Sequence, residues 1–174
     1  MISQIARSTW LAVAIAFSSS GVMSVRAEDG ETDLPALAAG LKGTKLRLED
    51  GLKASEREGT PVSAKFENDH GKLQLSVCTM MADGFTEVVI DPKTGAIAKA
   101  ENITDAEDLE AARAQKAAME KATISLLAVT QKAVAANAEY QAVSITPETR
   151  GRHPIADITL LKGETVKNIT EKLD

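Results

Sequence analysis

Aromatic side chains supply only 3% of the 174 residues: one Trp, one Tyr and three Phe. A core without large rings must be assembled from Val, Ile, Leu and Ala. Cysteine occurs once, as Cys78, which excludes an intrachain disulfide framework. In an oxidising compartment a lone thiol is buried, free or paired between chains. Long apolar runs are missing too. The apolar stretch Trp10 to Phe17 falls well short of the ~20 residues a membrane-spanning helix needs. The P-loop and dinucleotide fingerprints are absent. Basic clusters are lacking, and the formal net charge is −5. An acidic surface repels nucleic-acid phosphates and anionic lipid heads, so neither is an expected partner.

What is present begins with an export signal. Arg7 precedes the short apolar run, Ser18 to Gly21 breaks it, and Val25-Arg26-Ala27 fits the small-residue cleavage rule. The expectation is a signal peptide over 1–27, cut after Ala27, and a periplasmic or extracellular chain with no membrane insertion afterwards. Removal of 1–27 takes away Arg7 and Arg26 but no acid, which moves the net charge from −5 to −7. Residues 28–43 carry Asp, Glu, Gly, Pro and Ala with little periodicity and are expected to be disordered.

Behind this lies a repeated order of elements. Leu48 and Leu52 have helical spacing, although Gly51 weakens that helix by about 1 kcal/mol relative to Ala. Three strand candidates follow. Val62 to Glu67 alternates apolar and polar residues, Leu73-Gln74-Leu75-Ser76-Val77 alternates cleanly, and Phe85 to Ile90 is rich in β-formers. Asp91-Pro92-Lys93-Thr94-Gly95 stops the third: Pro92 cannot donate to a ladder, Asp91 can accept from nearby N–H groups, and Gly95 tolerates positive φ. Ala96 to Ala98 offers a short continuation. Thr104 to Glu107 reads as a capping box. From there to Asn137 no Gly or Pro occurs, so one helix, or two joined by a kink near Thr123, is expected. A helix and three strands then recur: Thr123 onward, Ala142 to Thr146, Ile155 to Leu161, and Thr165 to about Thr170, with a turn over Pro147 to Pro154.

The expected fold class is α+β: two helix-plus-three-stranded antiparallel sheet modules joined by a long helix. The expected division is a first module over 44–101, a linking helix over 102–122 and a second module over 123–174.

The order of elements, with a third strand ending Val88-Val89-Ile90-Asp91-Pro92-Lys93-Thr94-Gly95, resembles the PepSY domain family. The second copy aligns more weakly, because the chain ends where its Asp-x-x-Thr-Gly turn belongs. The resemblance implies a secreted or cell-envelope module, found in peptidase propeptides and stand-alone periplasmic proteins, with a proposed role in restraining peptidases. It carries no catalytic residues. Asp91, Pro92, Thr94 and Gly95 are then a structural turn.

Searches for chemistry in the residues give little. His70 and His153 fall in turns at corresponding places of the two repeats, where exposed histidines outnumber metal ligands. A Cys78–His70 nucleophile pair has no basic cluster or helix N-terminus to activate it. The acids at Asp105, Glu107, Asp108 and Glu110 suit a first helical turn. Asn102-Ile103-Thr104 and Asn168-Ile169-Thr170 match the glycosylation sequon, which matters only in a eukaryotic secretory pathway. No catalytic residue, metal site or cofactor is expected. The leading expectation is non-enzymatic binding of a peptidase or another envelope protein, through an exposed edge strand or through an open sheet face bearing Gln74, Ser76 and Cys78. The alternative is a small-ligand or metal-binding envelope protein.

Overall fold

The computed structural model describes residues 34–69 and 71–174. The signal segment 1–27 and His70 lie outside the described residues. The stretch expected to be disordered is ordered from Leu34: helix α1 (Leu34–Lys42) buries Leu37, Ala38 and Leu41. Three apolar residues on one helical stripe are enough to dock it, a pattern that the surrounding Gly and Ala hide.

Helix α2 (Leu48–Ser55) buries Leu48, Gly51, Leu52 and Ser55, the i, i+3, i+4, i+7 stripe. The Asp50 carboxylate accepts the Arg47 N–H at 2.9 Å and closes its first turn. A 3-10 turn over Glu56–Glu58 leads into the strands. These are β1 (Thr60–Asp69), β2 (Lys72–Met81), β3 (Gly84–Ile90) and β4 (Ile97–Asn102). Helices α3 (Ala106–Met119) and α4 (Leu126–Ala135) follow, and β5 (Gln141–Arg150), β6 (His153–Lys162) and β7 (Thr165–Lys172) complete the chain.

The seven strands of the described residues form a single sheet in the order β4-β3-β2-β1-β5-β6-β7, every neighbouring pair antiparallel. This corrects the expected fold of two separate three-stranded modules. The two runs share one sheet through β1 and β5, where Ala64 faces Ile145 and Lys65 faces Ser144. The pairing is short for a visible reason. In the same register Val62 would meet Pro147, but Val62 is the bulged residue of β1 and Pro147 has no N–H to give. The strands therefore part at that end. Antiparallel pairing at this junction relates the two runs by an approximate two-fold rotation. The likeness extends to detail, since β1 and β5 each bulge at their third residue, Val62 and Val143.

Cross-strand pairing sorts the side chains onto two faces. One carries Ala64, Phe66, Leu75, Val77, Val88, Ile90, Ile145 and Ile158, and packs under α1, α2 and α4 in one core spanning both runs. The other carries Ser63, Cys78 and Glu87, and α3 lies across it. Val62, Cys78, Phe85 and Ala112 form a second, smaller core there. So α3 is not a rod between two modules, as its composition suggested, but a cover for the second face. Its cap is Asp105 rather than Thr104, with the carboxylate accepting the Glu107 N–H at 3.0 Å and that of Asp108 at 3.4 Å. Met119 touches both cores.

The helical stretch breaks between α3 and α4, where the chain crosses from one face to the other. The Leu173 carbonyl accepts the Thr123 N–H at 2.7 Å, the Ile124 N–H at 3.1 Å and the Thr123 hydroxyl at 3.3 Å, tying this crossing to the end of β7. Ser125 caps α4 by accepting the Ala128 N–H at 3.2 Å. The turn expected over Pro147 to Pro154 is also corrected. Both prolines sit in strands, and the chain reverses at Gly151-Arg152. Register alternation turns the Pro147 nitrogen away from β6, toward the parted end of the β1–β5 junction, so no ladder bond is lost.

Candidate functional site

The turn after β3 has a structural explanation in full. The Asp91 carboxylate accepts the Lys93 N–H at 2.8 Å and the Thr94 N–H at 2.9 Å, and the Asp91 carbonyl accepts the Gly95 N–H at 2.8 Å. Gly95 adopts φ +71°, a left-handed conformation that favours glycine. The Thr44 hydroxyl donates to the Pro92 carbonyl and accepts the Leu46 N–H at 3.0 Å. The turn therefore anchors the α1–α2 connection, which is why Asp, Pro, Thr and Gly stand together. The backbone donors of Thr94 and Lys93 hold the Asp91 carboxyl below its ordinary value. A carboxyl lowered in the folded state contributes stability that is fully present above its unfolded value near 3.8 and is lost as pH falls through the lower folded value. Acid titration of Asp91→Asn is accordingly expected to show a shallower loss of stability below that pH than the parent, read by thermal melts from neutral to strongly acid solution.

The residues expected on an open sheet face divide. Gln74 and Ser76 do lie opposite the Leu75–Val77 core face, in a polar network centred on Glu67. Glu67 Oε1 accepts Gln74 Nε2 at 2.6 Å and Ser76 Oγ at 2.7 Å, and Lys65 Nζ stands 2.8 Å from Glu67 Oε2. Burial pushes the Glu67 carboxyl up. The Lys65 charge and the hydrogen bonds from Lys65, Gln74 and Ser76 outweigh it, leaving the group below its ordinary value. It is a fixed anion at neutral pH, held by its own neighbours, and suits no proton-transfer role.

Only Gln74 keeps partial exposure: Ser76 is 0% exposed, and Cys78, on the same face, is buried too. It is 1% exposed beneath α3, since the bulge at Val62 turns Val62 and Ser63 together toward the helix. The Ser63 hydroxyl donates to Gln115 Oε1 at 2.8 Å and seals the contact. Burial, then the charges of Glu87 and Asp108, push the thiol up to about 12. A thiol in that state is neither a nucleophile nor a bridge to another chain. The native protein is expected to leave Ellman's reagent uncoloured over hours and to release one equivalent at once in denaturant; rapid native reaction would show that α3 does not cover the thiol.

His153 lies at the start of β6 and bonds Asp174 Oδ2 through Nδ1 at 2.6 Å. That contact holds the Asp174 carboxyl below its ordinary value. No cluster of three or more His, Cys, Asp or Glu able to hold a metal occurs among the described residues. A cavity of about 250 Å³ opens between α2, the start of β1 and the crossing from α3 to α4, lined by Leu52, Pro61, Met119, Leu126 and Leu127 among others. Sequence reasoning missed it, because its walls come from three separate segments.

The remaining features are the two sheet edges. The helices pack over β1, β2, β5 and β6. Every residue of β4 after Ile97 is exposed, and in β7 only Val166, Ile169 and Glu171 are half-buried, the rest exposed. In β4 the Ile103 N–H donates to the Phe85 carbonyl at 2.9 Å, so alternation turns the N–H and C=O of Ala100 and Asn102 away from β3. In β7 the Leu173 N–H donates to the Pro154 carbonyl at 3.0 Å, so the outward groups belong to Val166, Asn168, Thr170 and Lys172. Such an edge is a template for another strand. No helix of the described residues is long and apolar enough to cross a membrane. No family model, curated protein or solved structure matches the chain.

Proposed function

We propose that this chain is an exported, non-enzymatic protein-binding module of PepSY-like character that takes an extended segment of a peptidase or other envelope protein along β4. The supporting observation is that β4 is an edge strand exposed beyond Ile97, with the backbone groups of Ala100 and Asn102 turned outward. An extended segment gains main-chain hydrogen bonds by lying there, and alternate side chains supply selectivity. The buried Cys78 and the self-contained Glu67 network speak against chemistry on the sheet face.

The test uses the mature chain as bait in an envelope extract and as an inhibitor of endogenous peptidases, beside an Ala100→Pro variant. Proline at Ala100 removes an N–H that points away from β3, so the sheet is retained while the edge is blocked. Capture or inhibition by the parent and its loss in the folded variant is the expected result. Failure of the parent in both assays, or equal binding by the variant, contradicts the reading. A second reading, a small-ligand-binding envelope protein, is favoured by the apolar cavity at Leu52 and Met119. Saturable binding of an apolar dye, abolished by Met119→Trp, supports it.

A further inference from the structure

The two edges are not equivalent. β4 is six residues long and its ladder to β3 shifts register at Val89/Ile90. β7 runs eight residues with an unbroken ladder to β6. Natural edges are blunted by charge, proline or a bulge. In β7 two of the three charges are drawn back onto α4 and the loop behind it. Lys167 Nζ donates to Asn137 Oδ1 at 2.6 Å and sits 5.8 Å from the Tyr140 ring centre, and Glu171 Oε2 is 2.7 Å from Lys132 Nζ. The edge is left regular, and its outward backbone groups belong to Val166, Asn168, Thr170 and Lys172.

We infer that β7 pairs antiparallel with β7 of a second copy, about a two-fold axis at Ile169, to make one continuous sheet across a homodimer. The order of side chains on this strand carries the inference. Outward backbone groups belong to even-numbered residues, so a symmetric pairing must match even with even. With Ile169 on the axis, Asn168 meets Thr170 of the partner subunit and Val166 meets Lys172 of the partner subunit, both as hydrogen-bonded pairs. On the other parity Lys167 lies opposite Glu171 of the partner subunit, so each charge gains a second partner beside Asn137 or Lys132 of its own chain, and the same pair recurs across the axis. Ile169, half-buried in its own chain, meets its symmetry mate. A shift of two residues, with Asn168 on the axis, puts Lys167 opposite an isoleucine and Glu171 opposite a threonine, and both charge pairs are lost. The strand is thus self-complementary in one register, as an isologous interface requires. Opposite charges facing each other across strands favour pairing, and like charges oppose it.

The test is the mass of the mature chain in solution by sedimentation equilibrium across a concentration series. The parent is expected to pass from one to two chain masses. Lys167→Glu and Glu171→Lys alone each place like charges opposite one another twice, and each weakens the dimer about tenfold. The double exchange K167E/E171K restores complementarity and the dimer. Asn168→Pro removes an outward N–H without touching the β6 ladder and abolishes dimerisation. Thermal melts verify that each variant is folded, and recovery in the double exchange separates a lost interface from a damaged fold. A parent that stays monomeric, a double exchange as weak as the singles, or a β7 edge that takes only a foreign extended peptide overturns the proposal.

Discussion

Gly51→Ala lowers the stability of the chain by about 1–3 kcal/mol, the usual cost of overpacking a filled core. Helix propensity alone argues the reverse, since alanine in a helix interior is worth about 1 kcal/mol over glycine. Contact distances decide which effect wins. A Cβ on Gly51 would lie 2.2 Å from Leu75 Cδ2, 2.9 Å from Leu75 Cγ and 3.3 Å from Ile90 Cδ1. Leu75 and Ile90 are both fully buried and face each other across β2 and β3, so neither can swing into solvent. Either α2 rises off the sheet or Leu75 leaves its rotamer, and both loosen the contact that seats α2. Urea unfolding followed by far-UV circular dichroism measures the difference. A more stable Gly51→Ala protein would mean that α2 rides farther from the sheet than these contact distances.

Gly51 also marks the boundary of what the sequence discloses. From sequence it is a weak point in a helix; in the fold it is the point of closest approach between helix and sheet. Strand positions were legible because period-two alternation is local, and Leu73, Leu75 and Val77 show it directly. The turn at Asp91–Gly95 was legible for the same reason, since its donors and acceptors lie within a few residues. The seam between β1 and β5 was not. It consists of Ala64 facing Ile145 and Lys65 facing Ser144, some eighty positions apart in the chain, and no local pattern announces such a pairing. The alternation of Gln74, Ser76 and Cys78 with Leu73, Leu75 and Val77 suggested an open face. Yet the bulge at Val62 and the crossing of α3 bury Cys78, and Ser76 is fully buried against Glu67, so only Gln74 stays half-exposed. Likewise α3 looked like a bridge because its apolar stripe is thin; small residues such as Ala112 and Ala118 suffice where a helix lies close on a sheet. Of the candidate site, sequence alone offered an unspecified exposed edge strand. Which edges are exposed follows only from the strand order.

Ile145→Ala is expected to destabilise the entire chain by about 2–5 kcal/mol, the range for truncating a fully buried aliphatic side chain. Ile145 is 0% exposed and stands between Ala64 on β1 and Ile158 on β6. Its neighbour across the seam is an alanine, too small to fill the space left behind, so the cost belongs toward the upper end of that range. The consequence reaches past one side chain. The larger core runs without interruption from Leu37 and Leu52 through Ala64 and Ile145 to Leu173, so both runs of strands melt together. Small single-core proteins unfold in one cooperative step. Calorimetry of the parent should accordingly give one transition, and Ile145→Ala should move all of it to lower temperature. Tyr140 emission reports the second run and amide exchange in β2 the first, and both should shift by the same free energy. Were the halves independent, Tyr140 would lose its signal early while β2 amides kept their protection. The β1–β5 seam would then be a contact between two domains rather than the centre of one.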